Sequence, residues 1–322
     1  MVTSFLDLIG VSMFRFVLMA LVNILAGFRF GRMLGEALAL LAALCWAIGA
    51  GFYKSSMRSV NPIGLNFVRS IPAIAFLFLM TLVFGRLDSF GKLDPMITIY
   101  VVGASIVSWL IGDTLYFLGL KSIGVSRTVP ITYSYPLFLL PISMWFLREP
   151  FGYEILIGTL MIISAIWLIS RSLGSGEPEK RGRIGLAASI LAALCWAVGV
   201  ASFKYLMSFI DPIFLSFFRM LVLLPLLGLY SMLSSSTKRS ILGMRKKELL
   251  LAAIGGVIAV GFGDMIYLVG LDLTKANIVG PLTATTPVFA GIIAAVKLRE
   301  RPNLETILGI ALITVGAALL ST

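Results

Sequence analysis

The sequence has no histidine and only two cysteines in its 322 residues. Histidine is the commonest metal ligand and the general base of Ser–His hydrolases. Its absence therefore excludes those hydrolases and the histidine-dependent intramembrane proteases. Cys45 and Cys195 both lie in apolar stretches and give no evidence of a disulfide framework. A phosphate-binding loop of the form GxxxxGK[ST] is also absent, which argues against a P-loop ATPase. We therefore expect neither a metal nor a cofactor.

Charged residues are scarce as well. They make up 13% of the chain, against about 25% in soluble domains, while 59% of the residues are hydrophobic and the mean hydropathy is +1.02. Such a chain cannot cover its surface with polar groups, so its main solvent is lipid. The apolar runs are continuous and about twice as long as a barrel strand, which favours helices. They predict an all-α polytopic membrane protein with ten core spans, at 34–52, 62–84, 97–119, 128–147, 152–170, 184–203, 212–233, 249–271, 276–296 and 303–321.

One further apolar stretch, residues 5–28, precedes these spans. It has no basic segment ahead of it and is therefore a poor signal peptide. Three interpretations are open: an eleventh helix, a helix lying in the membrane interface, or sequence upstream of a true start at Met33. The net charge of +11 does not indicate nucleic-acid binding, because the basic residues lie mainly in short loops, as membrane topology requires.

The seven letters "LAALCWA" occur at 41–47 and again at 191–197. The match continues at an offset of 150 and then 151 residues, so the chain is a duplication. This predicts an N-terminal hydrophobic extension (1–33), a first repeat (34–171), a polar linker (172–183) and a second repeat (184–322). Each repeat holds five predicted spans, an odd number, so the second repeat must be inverted relative to the first. Inverted repeats are typical of secondary transporters, because one fold in two orientations supplies two near-equivalent states.

The order and spacing of several residues in each repeat resemble the EamA domain of the drug/metabolite transporter superfamily. Each repeat contains Trp, Lys, Pro and Arg at matching positions (46, 54, 62, 69 and 196, 204, 212, 219), followed by "YFLGL", "YPLF" and "LREP" in the first and "YLVGL", "TPVF" and "LRER" in the second. The resemblance covers about 34–321. It implies a ten-helix exporter or permease in the cell membrane, with a central cavity between the halves and a small molecule as its substrate.

The absolute orientation has two readings. The basic loops at 171–183 and 238–247 place the side that carries them in the cytoplasm and the C-terminus outside. The family resemblance instead implies that both ends of the ten-helix core are cytoplasmic.

Charged residues inside apolar spans are expensive and so stand out as candidates for function. Arg69 lies seven residues after Pro62, a rise of about 10 Å, which puts it at a depth similar to that of Asp113 in the next, antiparallel helix. Lys54 lies on the same side. The second repeat carries the same set at Lys204, Arg219 and Asp264, and inversion predicts that it lies toward the opposite face. These clusters either gate a substrate pathway or form structural ion pairs within each half.

Aromatic and proline residues supply the remaining candidates for a pathway. Trp46 and Trp196 lie inside their helices, where they either pack or line a cavity. Prolines remove backbone donors and expose carbonyls that can line a polar path, so we also expect these neighbouring residues to face a substrate: Tyr133, Tyr135, Pro136, Thr286 and Pro287.

Two glutamates, Glu149 and Glu300, follow the fourth and ninth spans. A carboxylate at the start of a helix is stabilised by the helix dipole, so a structural role is one reading and proton coupling is the other.

Two other classes of function compete with transport. "GFGD" at 261–264 matches the GxGD pattern of intramembrane aspartyl proteases, with Asp113 as the possible second carboxylate. The first copy reads "LIGD" and lacks the other signatures of those enzymes. A membrane scaffold without transport activity is the third class. We expect a secondary transporter, not an enzyme, for a small metabolite or drug-like solute. The sequence leaves its substrate, coupling and oligomeric state open.

Overall fold

The computed structural model describes residues 33–56, 60–172, 182–298 and 304–320, and within them all regular structure is helical. Helices occupy the ten predicted segments to within a few residues. We number them α1 to α10: α1 Leu34–Ser56, α2 Pro62–Val83, α3 Pro95–Ser105 continuing through Ile106–Gly112 to Asp113–Ile123, α4 Val125–Thr132 and Pro136–Trp145, α5 Tyr153–Ser172, α6 Gly182–Leu206, α7 Pro212–Leu233, α8 Lys246–Gly255 continuing through Gly256–Gly263 to Asp264–Leu273, α9 Ala276–Thr283 and Thr286–Leu298, and α10 Leu304–Leu320.

An Asn or Asp followed by Pro starts three of these helices. Asn61 accepts a hydrogen bond from the backbone of Gly64 at the start of α2, and Asp94 and Asp211 cap α3 and α7 in the same way. The side chain satisfies a backbone donor that has no partner within the helix, and the following proline has no N–H to leave unsatisfied. The sequence therefore fixes these boundaries locally.

Four helices are irregular at the same place in both repeats. A π-helical stretch interrupts α3 at Ile106–Gly112 and α8 at Gly256–Gly263, each ending just before the intramembrane aspartate. The helices α4 and α9 break before Pro136 and near Pro287, where the ring removes a backbone donor. The kinks predicted from the prolines are confirmed, whereas the π-helical stretches were not foreseen.

The halves pack reciprocally. Helix α1 packs along α8 of the second half, and its repeat equivalent α6 packs along α3 of the first half. The equivalent helices α2 and α7 pack on each other, as do α5 and α10. The first helix of each half therefore places its side chains against the third helix of the other half.

Seven helical runs in the described residues are long and apolar enough to cross a bilayer. Large apolar side chains remain on the outside, among them Trp145, Met96 and Leu233. A soluble protein rarely exposes contiguous apolar surface of this extent, whereas a lipid-facing helix requires it. The chain is thus an all-α polytopic membrane protein. Residues 1–32, most of the linker and Glu300 lie outside the described residues, and the division into domains stays a prediction.

Candidate functional site

A buried ion pair lies in the second half. Arg219 on α7 and Asp264 on α8 approach to 2.8 Å, and their side chains are 1% and 3% exposed. The guanidinium also lies over the rings of Trp109, at 5.2 Å, and Phe203, at 5.1 Å. Paired charge and aromatic faces compensate a cation that has been removed from water. One of the two readings of the second cluster required an ion pair between Arg219 and Asp264, and that pair is formed.

The equivalent residues of the first half are arranged differently. Arg69 makes no ion pair within the described part of the chain, and its Nε is buried without a hydrogen-bond partner. Its guanidinium lies 4.6 Å over the ring of Tyr53, which is the repeat equivalent of Phe203. Asp113, the expected partner of Arg69, instead accepts a hydrogen bond from Trp196 Nε1 at 3.2 Å. The predicted Arg69–Asp113 pair is therefore not formed.

Two tryptophans bond the halves crosswise. Trp46 of the first half donates its Nε1 hydrogen to Asp264 of the second at 2.8 Å, and Trp196 of the second half donates to Asp113 of the first. Both rings lie against a glycine. A Cβ added at Gly112 would lie 2.9 Å from the ring of Trp196, and one added at Gly263 would lie 3.2 Å from the ring of Trp46. The glycine that precedes each aspartate thus lets the indole reach the carboxylate.

The placement of the two charge clusters toward opposite faces of the membrane stays a prediction. Asp113, Asp264 and Arg69 interact electrostatically with one another, although they come from different halves. Because α1 and α6 each pack on the other half, Trp46 and Trp196 each reach the aspartate of the opposite half. Lys204 lies at the end of α6, where its Nζ donates to the carbonyls of Leu271 and Asp272.

Aromatic rings surround Trp196 beside Asp113. The ring centroids of Tyr116, Tyr133 and Tyr135 lie 5.3, 5.4 and 6.2 Å from that of Trp196. Tyr135 also donates or accepts a hydrogen bond with Thr283, at 2.6 Å, and reaches the carbonyl of Gly280. The two helix breaks thus meet across the interface between the halves.

The other proline-region candidates stay near these breaks. Pro136 is buried at the start of the second part of α4, and Thr286 is buried with its hydroxyl bonded to the carbonyl of Thr283. Pro287 is half-buried. Tyr53, Trp109 and Tyr116 were not among the predicted site residues. Repeat matching gives a signal for two of them, because the offset of 150 pairs Tyr53 with Phe203 and the offset of 151 pairs Tyr116 with Tyr267.

Glu149 joins the halves at one end of the molecule. Its two carboxylate oxygens accept hydrogen bonds from the backbone N–H groups of Ala276, at 2.6 Å, and Asn277, at 3.0 Å, at the start of α9. Asn277 in turn donates its side-chain amide to the carbonyl of Pro150. Burial raises the pKa of the Glu149 carboxyl, against the lowering effect of these N–H groups and of Lys204 and Lys275. The predicted placement at a helix start holds, but the helix is α9 of the other half.

The side chain of Lys54 and all of Glu300 lie outside the described residues, so the corresponding contacts at the other end of the molecule are not described.

Known proteins resemble this chain over most of its length. The profile of the EamA-like transporter family matches residues 33–171 and again 183–322. The chain belongs to the EamA-like transporter family. It therefore falls within the drug/metabolite transporter superfamily, as its motifs suggested. Two proteins of Archaeoglobus fulgidus, each described as an uncharacterized transporter, are 28% identical over 89% of this chain and 24% identical over 86% of it. The alignments cover 98% and 94% of those proteins.

A solved structure described only as "crystal structure of protein" aligns with a TM-score of 0.76 at 20% identity, over 89% of this chain and 98% of that one. This likeness concerns the fold. Membership of the EamA-like family makes the chain a multi-pass membrane transporter. It also removes the reason to assign Asp113 and Asp264 to peptide cleavage: Asp264 is held by Arg219 and Trp46, and Asp113 by Trp196.

Proposed function

We propose that this EamA-family chain is a secondary transporter that moves a small metabolite or drug-like solute by alternating access along a path between its two halves. One observation carries the proposal: equivalent residues of the two repeats adopt different arrangements. Arg219 and Asp264 are paired and sealed from solvent, whereas Arg69 and Asp113 are separate and half-buried. A duplicated chain whose copies are locally in different states supports exchange between those states.

In this mechanism the two arrangements exchange. In the alternate state Arg69 pairs with Asp113 and seals the first half, while Arg219 and Asp264 separate and open the second. Trp46 and Trp196 donate to the aspartate of the opposite half, so they transmit the change between halves. The number of buried ion pairs is conserved in the exchange, which keeps the two states close in free energy.

The contact of Glu149 with α9 closes one end of the path in the present state. Hydrogen bonds from two N–H groups at the start of α9 to the Glu149 carboxyl link the halves at this end. By repeat symmetry, Glu300 would make the same link to the start of α4, near residues 125–126, in the alternate state. Opening one end then requires the loss of one link and the formation of the other.

Uptake by purified protein in liposomes tests the proposal. Proteoliposomes are incubated with a ¹³C-labelled small-molecule extract, and their contents are analysed by mass spectrometry against empty liposomes. Accumulation of one or a few solutes supports transport. A thiol reagent applied from each side of the membrane shows whether cysteines in the path become accessible from both sides. If they do and no solute enters, the protein changes conformation without carrying a solute and the proposal fails.

The Glu149 link predicts a pH dependence of the closed end. The raised pKa of Glu149 in the closed arrangement means that this arrangement binds the proton more tightly than an open one with a hydrated glutamate. Closure is therefore fully stabilised below the ordinary glutamate pKa of about 4.3 and loses this stabilisation as pH rises through the raised value.

The measurement is the labelling rate of a single cysteine at Ala276, in a chain whose Cys45 and Cys195 are alanine. We expect faster labelling as pH rises through this window. The Glu149→Gln protein, which mimics the protonated carboxyl, gives the pH dependence of the thiol reaction itself, and the ratio of the labelling rate with Glu149 to that of the Glu149→Gln protein should rise with pH. Equal pH profiles for both proteins would contradict the assignment.

A further inference from the structure

Arg69 is a half-buried charge that has no ion-pair partner within the described residues. It is only partly exposed, its Nε has no partner, and within the described residues no carboxylate lies within ion-pair distance of it. Arg219 pairs directly with Asp264, whereas Arg69 interacts with Asp113 and Asp264 only from beyond ion-pair distance, so its guanidinium is less well compensated. The unpaired guanidinium therefore marks a place where an anion from outside the protein would gain a partner.

The guanidinium is held in a defined position. Tyr53, whose ring it covers at 4.6 Å, is itself fixed because its hydroxyl donates to the carbonyl of Gly255 at 2.7 Å. The backbone of Arg69 is pressed against α8: a Cβ added at Gly256 would lie 2.2 Å from the Arg69 carbonyl oxygen. Two helices of the first half and one of the second thus position the cation before any ligand arrives, which reduces the ordering cost of binding.

The surroundings favour one kind of anion. A guanidinium presents paired N–H groups that match a carboxylate in a bidentate contact. Asp113 and Asp264 interact electrostatically with Arg69, so a singly charged group meets less repulsion than a doubly charged phosphate. Asp113 also contacts Trp196, whose neighbouring tyrosines offer apolar area for the body of a ligand.

We propose that Arg69 binds the carboxylate of a monocarboxylate solute, and that this carboxylate occupies the position Asp113 takes when the first half closes. This inference rests on the proposed transport function and specifies its substrate class. When the half closes, Asp113 displaces the carboxylate from Arg69, so the solute is released as the other half opens. Arg69 binds the solute and Asp113 drives its release.

Ligand-induced stabilisation of the purified full-length protein in detergent tests the site without relying on transport. Benzoate is the probe, benzamide its neutral match of equal shape, and inorganic phosphate the alternative anion. We expect benzoate to raise the melting temperature in a concentration-dependent way and benzamide and phosphate to have no comparable effect. Arg69→Gln should weaken benzoate binding at least tenfold. Arg86→Gln, which removes the half-exposed arginine of the Arg86–Asp211 surface pair, is the matched control and should bind normally.

Arg69→Lys provides a second variant in case Arg69→Gln does not fold. It keeps the charge and loses the bidentate geometry, so we expect weaker benzoate binding than in the unaltered protein. The assignment is overturned if benzamide stabilises as well as benzoate, if phosphate alone stabilises, or if both Arg69 variants bind benzoate normally. A protein that transports solutes in the liposome assay yet gives one of these results would keep the transport function and lose the carboxylate site. Benzoate binding without uptake of any solute would keep the carboxylate site and reject the transport function.

Discussion

Asp264→Asn is expected to destabilise the protein by about 3–5 kcal/mol, the usual effect of removing one partner from a buried ion pair. Arg219 is 1% exposed, so its charge has no access to water when Asp264 is neutralised. Asparagine can still accept the hydrogen bond from Trp46, and the shape of the site is kept. The loss of stability therefore measures the cost of leaving Arg219 unpaired and not the cost of a cavity.

A double variant separates the charge from the packing. Arg219→Gln combined with Asp264→Asn removes both charges, and most of the stability should return, since no charge is then left uncompensated. Unfolding in detergent, followed by circular dichroism, is the measurement. The control is Asp211→Asn in the exposed Arg86–Asp211 pair, where asparagine still caps α7 and the change should be about 0–1 kcal/mol. Equal losses for Asp264→Asn and Asp211→Asn would show that the pair does not stabilise the fold.

Asp113→Asn is expected to leave the fold almost unchanged and to reduce transport at least tenfold. In the present state no arginine of the described residues forms an ion pair with Asp113, and asparagine keeps the oxygen that accepts the hydrogen bond of Trp196. In the alternate state, however, Arg69 would be sealed without a counterion. Raising the free energy of that state by about 1.4 kcal/mol lowers its population tenfold, and buried unpaired charge exceeds this amount.

The measurement is the initial rate of uptake of whichever solute the liposome screen identifies, per folded protein. Asp113→Glu keeps the charge and should retain more activity than Asp113→Asn. Normal uptake by a well-folded Asp113→Asn protein would eliminate the exchange of ion pairs and leave the aspartates with a structural role. Together the Asp264 and Asp113 variants divide the two readings of the charge clusters, because one should affect stability and the other transport.

Composition and the length of the apolar runs predicted the positions of the ten helices to within a few residues. Apolar runs of bilayer length require helices, because lipid offers no partner for backbone polar groups. Asn61–Pro62, Asp94–Pro95 and Asp211–Pro212 set three helix starts through contacts within a few residues. The breaks in α4 and α9 follow from proline in the same local way. Each of these features depends on neighbours in the sequence, so the sequence alone determines it.

The arrangement of the site followed only in part. Repeat matching found Trp46, Asp113, Trp196 and Asp264, but not that each tryptophan would bond to the aspartate of the other half. It placed Glu149 at a helix start but assigned the wrong helix. These contacts depend on how the two halves pack against each other. That packing is determined by the shapes of whole helix faces, which no short sequence pattern describes.

The duplication also made the two halves equal in the sequence, and only the tertiary structure distinguishes them. Arg69 and Arg219 occupy matching positions, yet Arg219 is paired and sealed, whereas Arg69 is half-buried and makes no ion pair within the part of the chain that the structure describes. The sequence does not say which half holds the pair, because the residues that form it are present twice. The structure places the pair in the second half, where Arg219 and Asp264 come together. Packing of α1 on α8 and of α6 on α3 joins the halves, so under the proposed mechanism the closing of one half is linked to the opening of the other.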